Sequence, residues 1–307
     1  MTLFFQKLAT QVSILCLCAI TSPLFAQSEY TAETFFYAND TVIYALYDSL
    51  GIGIDKALTG VKQTEIQRLI KQSRTKPAVN VFLVSHNDNL ILIDTGYGLA
   101  GKAFNGGLMF KTLNDLASID KINTILLTHL HPDHIGALLK EGKAQFPNAT
   151  IYVSEKELAY WNNDKNITNP ALKDIFDLAR TFQRVYKVVA VKPNQKILSD
   201  FTVIEEYGHT PGHVGYLLNI KPQKILFWGD IIHHIDLQIK NPDIYLTFDV
   251  DGKQAIETRK RILSWVVKNK FIVAGAHLPF PGVIRITKGK DNQYQYRPEP
   301  PFVEEGC

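Results

Sequence analysis

In the stretch INTILLTHLHPDHIGAL, Ile122–Leu138, an apolar run delivers four side chains that bind metals or protons: His129, His131, Asp133 and His134. Neutral imidazole and carboxylate are the usual ligands of zinc and its neighbours, and a hydrolytic site keeps one coordination position open for water. On an extended loop alternate residues point the same way, so His129 and His131 can converge on one ion. Asp133 and His134 turn toward the opposite side as a helix begins, so one segment can serve two ions. Pro132 stiffens the turn by fixing its own φ, and Gly136 lets backbone pass close by.

The same grammar recurs. Asp94 follows the apolar LILI, Asp230 follows ILFWG, and His277 follows FIVAGA, each just past a strand-like run. His209 and His213 stand in GHTPGH, a loop between two strand-like segments. The chain has nine histidines, and His129, His131, His134, His209 and His277 all fall in this pattern. Such a concentration points to a metal site rather than to packing. His86, in a hairpin turn, reads as solvated, and His233 and His234 as neighbours of the site rather than ligands.

The remaining elements must carry these residues to one place. TVIYALYDSL alternates as a strand, and TEIQRLIKQS has helical spacing at Ile66, Leu69 and Ile70. AVNVFLVSHNDNLILIDTG reads as two strands around a tight turn at His86–Asn89. LMFKTLNDLASI predicts an amphipathic helix with Leu108, Leu113 and Leu116 inward, and HIGALLKEG predicts a helix start. ATIYVSEKELAYW is a strand passing into a helix, and ALKDIFDLARTF is a helix. DFTVIEEYGHTPGHVGYLLNI is strand, polar loop, strand. KILFWGDII, KFIVAGAH and DNQYQYRPE are strands, and QAIETRKRILSWVVKN is a long helix. Two blocks of strands interleaved with helices, without a Pro/Ser-rich linker, predict sheet packed on sheet with helices outside.

Of the 307 residues 46% are hydrophobic and 21% charged, a globular balance, and the formal net charge of +3 comes without a dense Lys/Arg run, which argues against nucleic acid as a partner. Lys7, the apolar run Val12–Ile20 and the small residue Ala26 have the layout of a secretory signal peptide. The expectation is cleavage after Ala26, an exported or periplasmic enzyme, and one domain over residues 27–307 without a membrane span. Cys16 and Cys18 would leave with the leader, so Cys307 would remain alone and no intramolecular disulfide would form.

Taken in order, DTG (Asp94–Gly96), THLHPDHIG (Thr128–Gly136), GHTPGH (Gly208–His213), Gly229–Asp230 and Ala276–His277 resemble the metallo-β-lactamase superfamily. The resemblance covers nearly all of residues 27–307. It implies an αββα sandwich of the mixed α/β class with a dinuclear metal site at one edge of the two sheets. It implies that His129, His131 and His209 hold one ion, that Asp133, His134 and His277 hold the other, and that Asp230 bridges them. Asp94 would orient a ligand histidine, and His213 would stand beside the ligands. Zn²⁺ is the default ion, although Mn²⁺, Fe²⁺ or Co²⁺ suit the same donors. Two ions sharing a hydroxide would attack an ester-like centre, with Asp133 or Asp230 relaying the proton.

Several branches fit poorly. Asp230 stands where cysteine-ligand β-lactamases carry Cys, His131 is intact where flavodiiron relatives carry Glu, and neither a glutathione-binding extension nor a nuclease insert is recognisable. Three segments, Phe146–Trp161, Gly229–Leu263 and Ala274–Ile286, are similar to methyl parathion hydrolase and its organophosphate-hydrolase relatives, which often pair as homodimers. On that likeness the substrate would be a phosphotriester or related small ester, with Phe104 and Trp161 at the pocket. Lactone hydrolysis, acyl-homoserine lactones included, remains open, as does a metal-binding protein without catalysis.

Overall fold

Near-continuous apolar runs such as AVNVFLV have no polar face to offer water, so they must be covered on both sides. The computed structural model, which describes residues 32–38, 40–51, 53–98 and 106–303, covers them by stacking two sheets. The expected leader with Cys16 and Cys18, Cys307 and Phe104 lie outside the described residues.

The first sheet has the order β10-β9-β6-β5-β4-β2-β1-β19. Its strands are β1 (Ala32–Ala38), β2 (Thr41–Leu50), β4 (Ala78–His86), β5 (Asn89–Ile93), β6 (Thr124–Leu126), β9 (Thr150–Ser154), β10 (Lys187–Val191) and β19 (Phe302–Val303). The second has the order β11-β12-β13-β14-β16-β17-β18. It comprises β11 (Lys196–Ile197), β12 (Phe201–Glu205), β13 (Val214–Ile220), β14 (Gln223–Phe227), β16 (Ile272–Ala274), β17 (Val283–Lys288) and β18 (Tyr294–Pro298). Two short ribbons complete the strands: β3 (Leu58–Thr59) with β15 (Tyr245–Leu246), and β7 (Leu139–Lys140) with β8 (Lys143–Ala144).

Between the sheets lies a core in which Phe35 packs edge to face on Phe82 and Phe227 stands tilted against it, beside Ile43, Val84, Phe201 and Tyr216. The outer face of the second sheet is covered by a long helix, Gly252–Asn269, which buries Ile262, Leu263 and Val266 against Leu226, Val273 and Ile284. Asp251 caps its first turn by accepting from the Gln254 N–H, and Lys270 ends it in the left-handed conformation. A helix at Met109–Leu116 lies against β2. The layers are those of an αββα sandwich. Among the described residues no helix is long and apolar enough to cross a membrane.

The hairpin forms as its sequence predicts, with Asn87 and Asp88 both at positive φ, the backbone that a two-residue turn between twisted strands needs. Three details depart from expectation. The Met109–Leu116 helix starts one residue late for Leu108 to point inward, so Met109 takes the buried position, Leu108 is exposed and Leu116 is half-buried. The predicted helix after His134 stops at Ile135, because the chain turns back through Glu141 and Gly142 to pair β7 with β8. Strands β1, β10 and β17 belong to the sheets although their short runs carried no clear period.

What matters for function is where parallel strands end. β5 and β6 pair in parallel, as do β14 and β16, so the chain leaves all four at one edge of the sandwich. Asp94, His129, Asp230 and His277 follow these four strands. Crevices beyond the carboxyl ends of parallel strands are the usual ligand sites of open sheets.

Candidate metal centre

The residues expected to act together do meet. His129 Nε2 lies 2.9 Å from His131 Nδ1, which lies 2.9 Å from His209 Nε2. Asp230 Oδ2 is 3.2 Å from His209 Nε2 and 3.2 Å from His277 Nε2, and Asp230 Oδ1 is 3.2 Å from His134 Nε2. Asp133 Oδ2 lies 3.3 Å from His277 Nε2. The expected donors form two groups, His129–His131–His209–Asp230 and Asp133–His134–His277, whose ligand atoms lie within 4.8 Å of one another in each group, and Asp230, His233 and His277 form a third such group. Asp230 touches both expected groups.

The outer nitrogens explain which way each ring faces. His134 Nδ1 donates to Asp94 Oδ2 at 2.8 Å and His277 Nδ1 to the Ala78 carbonyl at 2.9 Å. His209 Nδ1 donates to Asp249 Oδ1 at 2.6 Å. Thr128 Oγ1 donates to Asp94 Oδ2 and so can accept from His129 Nδ1. Each of these rings therefore turns its Nε2 inward, and fixing the outer nitrogen this way is how a supporting shell orients metal-binding histidines. Asp94 performs its part at φ 60°, a strained backbone for a residue with a side chain.

The cluster asks for a cation. His134 Nε2 and Asp230 Oδ1 are buried without a hydrogen-bond partner, a cost that buried polar atoms rarely bear unless something else satisfies them. Nitrogens bound tetrahedrally to one zinc ion would sit ~3.3 Å apart, close to the spacing seen. Burial opposes charge on His209 and His277. Even so, Asp230 and Asp249 hold the His209 imidazole up at about 9, and Asp230 and Asp133 hold His277 up at about 10. The carboxylates thus draw positive charge into the space between the rings. The donor set fits divalent ions.

His213 stays outside the donor set. Its Nδ1 donates to the Glu206 carbonyl and its Nε2 accepts from the Asp230 N–H at 3.1 Å, so both nitrogens are used in fixing the Asp230 backbone. Gly136 and Gly212 supply the close approaches that their positions suggested: a Cβ would stand 2.2 Å from the Tyr97 carbonyl in the first case and 2.0 Å from the Glu157 nitrogen in the second.

Above the cluster is a cavity of about 780 Å³. Its walls include Trp161, Phe176, Ile54 and Phe248, its floor His131, Asp133, Asp230 and His277. Trp161 stands edge-on to His131 with ring centres 5.6 Å apart. Phe248, 45% exposed and unforeseen from sequence, forms the opposite rim, 5.8 Å from the His209 ring. His233 is closer than expected, with Nε2 2.9 Å from Asp230 Oδ2. His234 is buried too, but its Nε2 reaches only to 3.8 Å from Asp55. His86 is not solvated. It is buried at the far end of the sandwich, between Thr41 Oγ1 and Asp200 Oδ2, because the β11–β12 turn brings Asp200 over it.

Four further carboxylates shape the site, and none announced itself. Asp249 holds His209, and Glu206 is wholly buried behind Gly215. Glu157 accepts hydrogen bonds from two ligand loops, as described below. Asp48, fully buried, accepts from the N–H groups of Tyr97 and Gly107 at 2.9 and 2.8 Å. Burial pushes the Asp48 carboxyl from its ordinary 3.8 up to about 6, against the pull of those backbone donors. A carboxyl raised in the folded state adds stability below its unfolded value, and that contribution is lost as pH rises through the folded value. The size is ~3 kcal/mol. Asp48→Asn in metal-free protein should therefore gain about that much on wild type between pH 4 and 7, read from urea midpoints. A gap that does not change with pH would refute it.

Comparison with known proteins gives a consistent answer. The family model for the metallo-beta-lactamase superfamily matches residues 74–277. A solved hydrolase of the beta lactamase superfamily, AbOPH, is 30% identical with a TM-score of 0.77, the match covering 89% of this chain and 98% of that one. AidC, a dizinc quorum-quenching lactonase solved with its product N-hexanoyl-L-homoserine, has the same fold at a TM-score of 0.79, with 24% identity over 89% of this chain and 98% of that one. Among curated proteins, the uncharacterized YobT of Bacillus subtilis is 30% identical over 147 residues, 45% of this chain. The hydroxyacylglutathione hydrolase of Haemophilus ducreyi is 30% identical over 112 residues, 36% of this chain. The matches span 56% and 36% of those two proteins.

Proposed function

Because the chain belongs to the metallo-β-lactamase superfamily of metal-dependent hydrolases, we propose that it is a dinuclear hydrolase of small neutral esters, with phosphotriesters as its first substrate class. The observation that carries this reading is Asp230, shared by two donor groups at the floor of an apolar cavity. His129, His131 and His209 would hold one ion, Asp133, His134 and His277 the other, and Asp230 both. Two divalent ions there supply Lewis acidity and an acidified water at neutral pH.

The protein's own groups do the rest. Asp133 is the less buried of the two cluster carboxylates and lines the cavity, so its free oxygen can take a proton from the attacking water and return it to the leaving group. His213 and Asp94 keep the donors in place. Trp161, Phe176 and Phe248 exclude water and give an aryl or alkyl group an apolar wall. Among the described residues lining the cavity there is no Lys or Arg, so of these residues only the metal-binding cluster would pair an anionic substrate. That favours uncharged phosphotriesters over phosphate monoesters. It favours a lactone equally, and the fold shared with the lactonase AidC makes lactone hydrolysis the second reading.

A paired assay of metal-quantified protein separates them. It compares an aryl phosphotriester with an acyl-homoserine lactone across Zn²⁺, Mn²⁺ and Co²⁺, with His131→Ala as the blank. The expected result is the larger kcat/KM on the phosphotriester. The reverse order assigns the lactone, and full metal occupancy with neither substrate turned over would leave a binding protein.

A further inference from the structure

Glu157 lies in the helix Glu155–Trp161, belongs to neither donor group, and is wholly buried. Its Oε1 accepts from the Leu130 N–H at 3.0 Å and from Trp161 Nε1 at 2.6 Å. Its Oε2 accepts from Thr210 Oγ1 at 2.7 Å and from the Gly212 N–H at 3.0 Å. Leu130 stands between His129 and His131, and Thr210 directly follows His209. One carboxylate thus ties together two loops, one from each sheet, which also meet where the Val214 N–H donates to the Thr128 carbonyl at 3.0 Å.

We infer that Glu157 is a positioning residue that sets the spacing of the three-histidine group, and so determines how tightly the first of the two ions is held. This rests on the dinuclear reading above. The geometry is selective: the loops that Glu157 joins carry His129, His131 and His209. Of the other group, Asp133 and His134 are held by the short helix Pro132–Ile135 and by Asp94, and His277 by the Ala78 carbonyl. Gly212 shows how tight the seat is, since no side chain fits between it and the Glu157 backbone. Trp161 adds a second constraint, because the same carboxylate fixes the indole that stands against His131. A glutamine here keeps the volume but replaces one acceptor with an N–H₂ group that faces donors.

The test is metal binding by Glu157→Gln, read as stoichiometry by atomic emission after dialysis against a chelator and as affinity by Zn²⁺ competition. Thr210→Val, which removes one donor and leaves the carboxylate, is the milder companion. The expected result for Glu157→Gln is one retained ion per chain where wild type retains two. The weaker site should lose tenfold to a hundredfold in affinity, the range for groups that hold ligands in place. The other site should be unchanged, and metal-free melting temperature should stay within a few degrees of wild type. Thr210→Val should shift the same site by less, and that result decides the matter if Glu157→Gln does not fold. Equal weakening of both sites with a matching loss of metal-free stability would make Glu157 a plain packing residue and overturn the inference, as would unchanged binding. Wild-type protein that holds no ion would instead remove the dinuclear premise itself.

Discussion

Asp230→Asn should abolish hydrolysis and release both ions at once. Among the described residues its two oxygens are the only carboxylate atoms that face both donor groups, and Oδ1 is buried with no other partner. An asparagine would turn an N–H₂ toward nitrogens that already compete for positive charge. The fall in kcat/KM should exceed ~1,000-fold, equivalent to ~4 kcal/mol of transition-state stabilisation. The matched control is Asp133→Asn, which touches only one group and should cost one ion. Atomic emission on gel-filtered variants decides the matter: two ions retained by Asp230→Asn would show that Asp230 is not shared.

Arg259→Met should be the most damaging change away from the metal centre. Arg259 is fully buried in the long helix and donates to the carbonyls of Ile231, Pro242 and Ile244 at 2.7, 2.8 and 2.7 Å. Burial pushes its guanidinium down to about 10, with Asp249 and Asp243 as the opposing charges. Methionine fills similar volume but removes the donors of the Ile231 and Pro242 carbonyls and leaves the Ile244 carbonyl with Gln238 Nε2 alone. The expected loss is ~3–5 kcal/mol, a large share of ordinary domain stability. Because Ile231 follows Asp230, metal retention should fall as well. Urea unfolding measures the first effect, and a loss below ~1 kcal/mol would mean that water replaces the guanidinium at little cost.

The two cases also show what a linear chain reveals. The donors were legible because each follows a strand, and the strands were marked by apolar runs of the right length. His129, His131, Asp133 and His134 are local to one segment, and the strand pairing that brings Asp230 and His277 to them follows from ordinary sheet packing. The anchors behind them were not legible. Glu157 and Arg259 on helices, Asp249 on a loop and Asp48 near the end of β2 are charged residues, and a charge normally means solvent. Their burial is decided by which backbone N–H or carbonyl arrives from a distant segment, and no local pattern encodes that. His86 failed as a turn residue for the same reason, since Asp200 closes over it from the other sheet. Leu108 failed by one residue of helix phase.

The donors are divided between the sheets. His129, His131, Asp133 and His134 follow strands of the first, whereas His209, Asp230 and His277 follow strands of the second. Neither donor group is complete on one sheet alone, and His277 follows β16, a strand that forms after all but the last strand of the first sheet has been made. A growing polypeptide with only its first sheet formed offers a partial grip to any passing ion. Both donor groups are therefore assembled only once the two sheets have packed together.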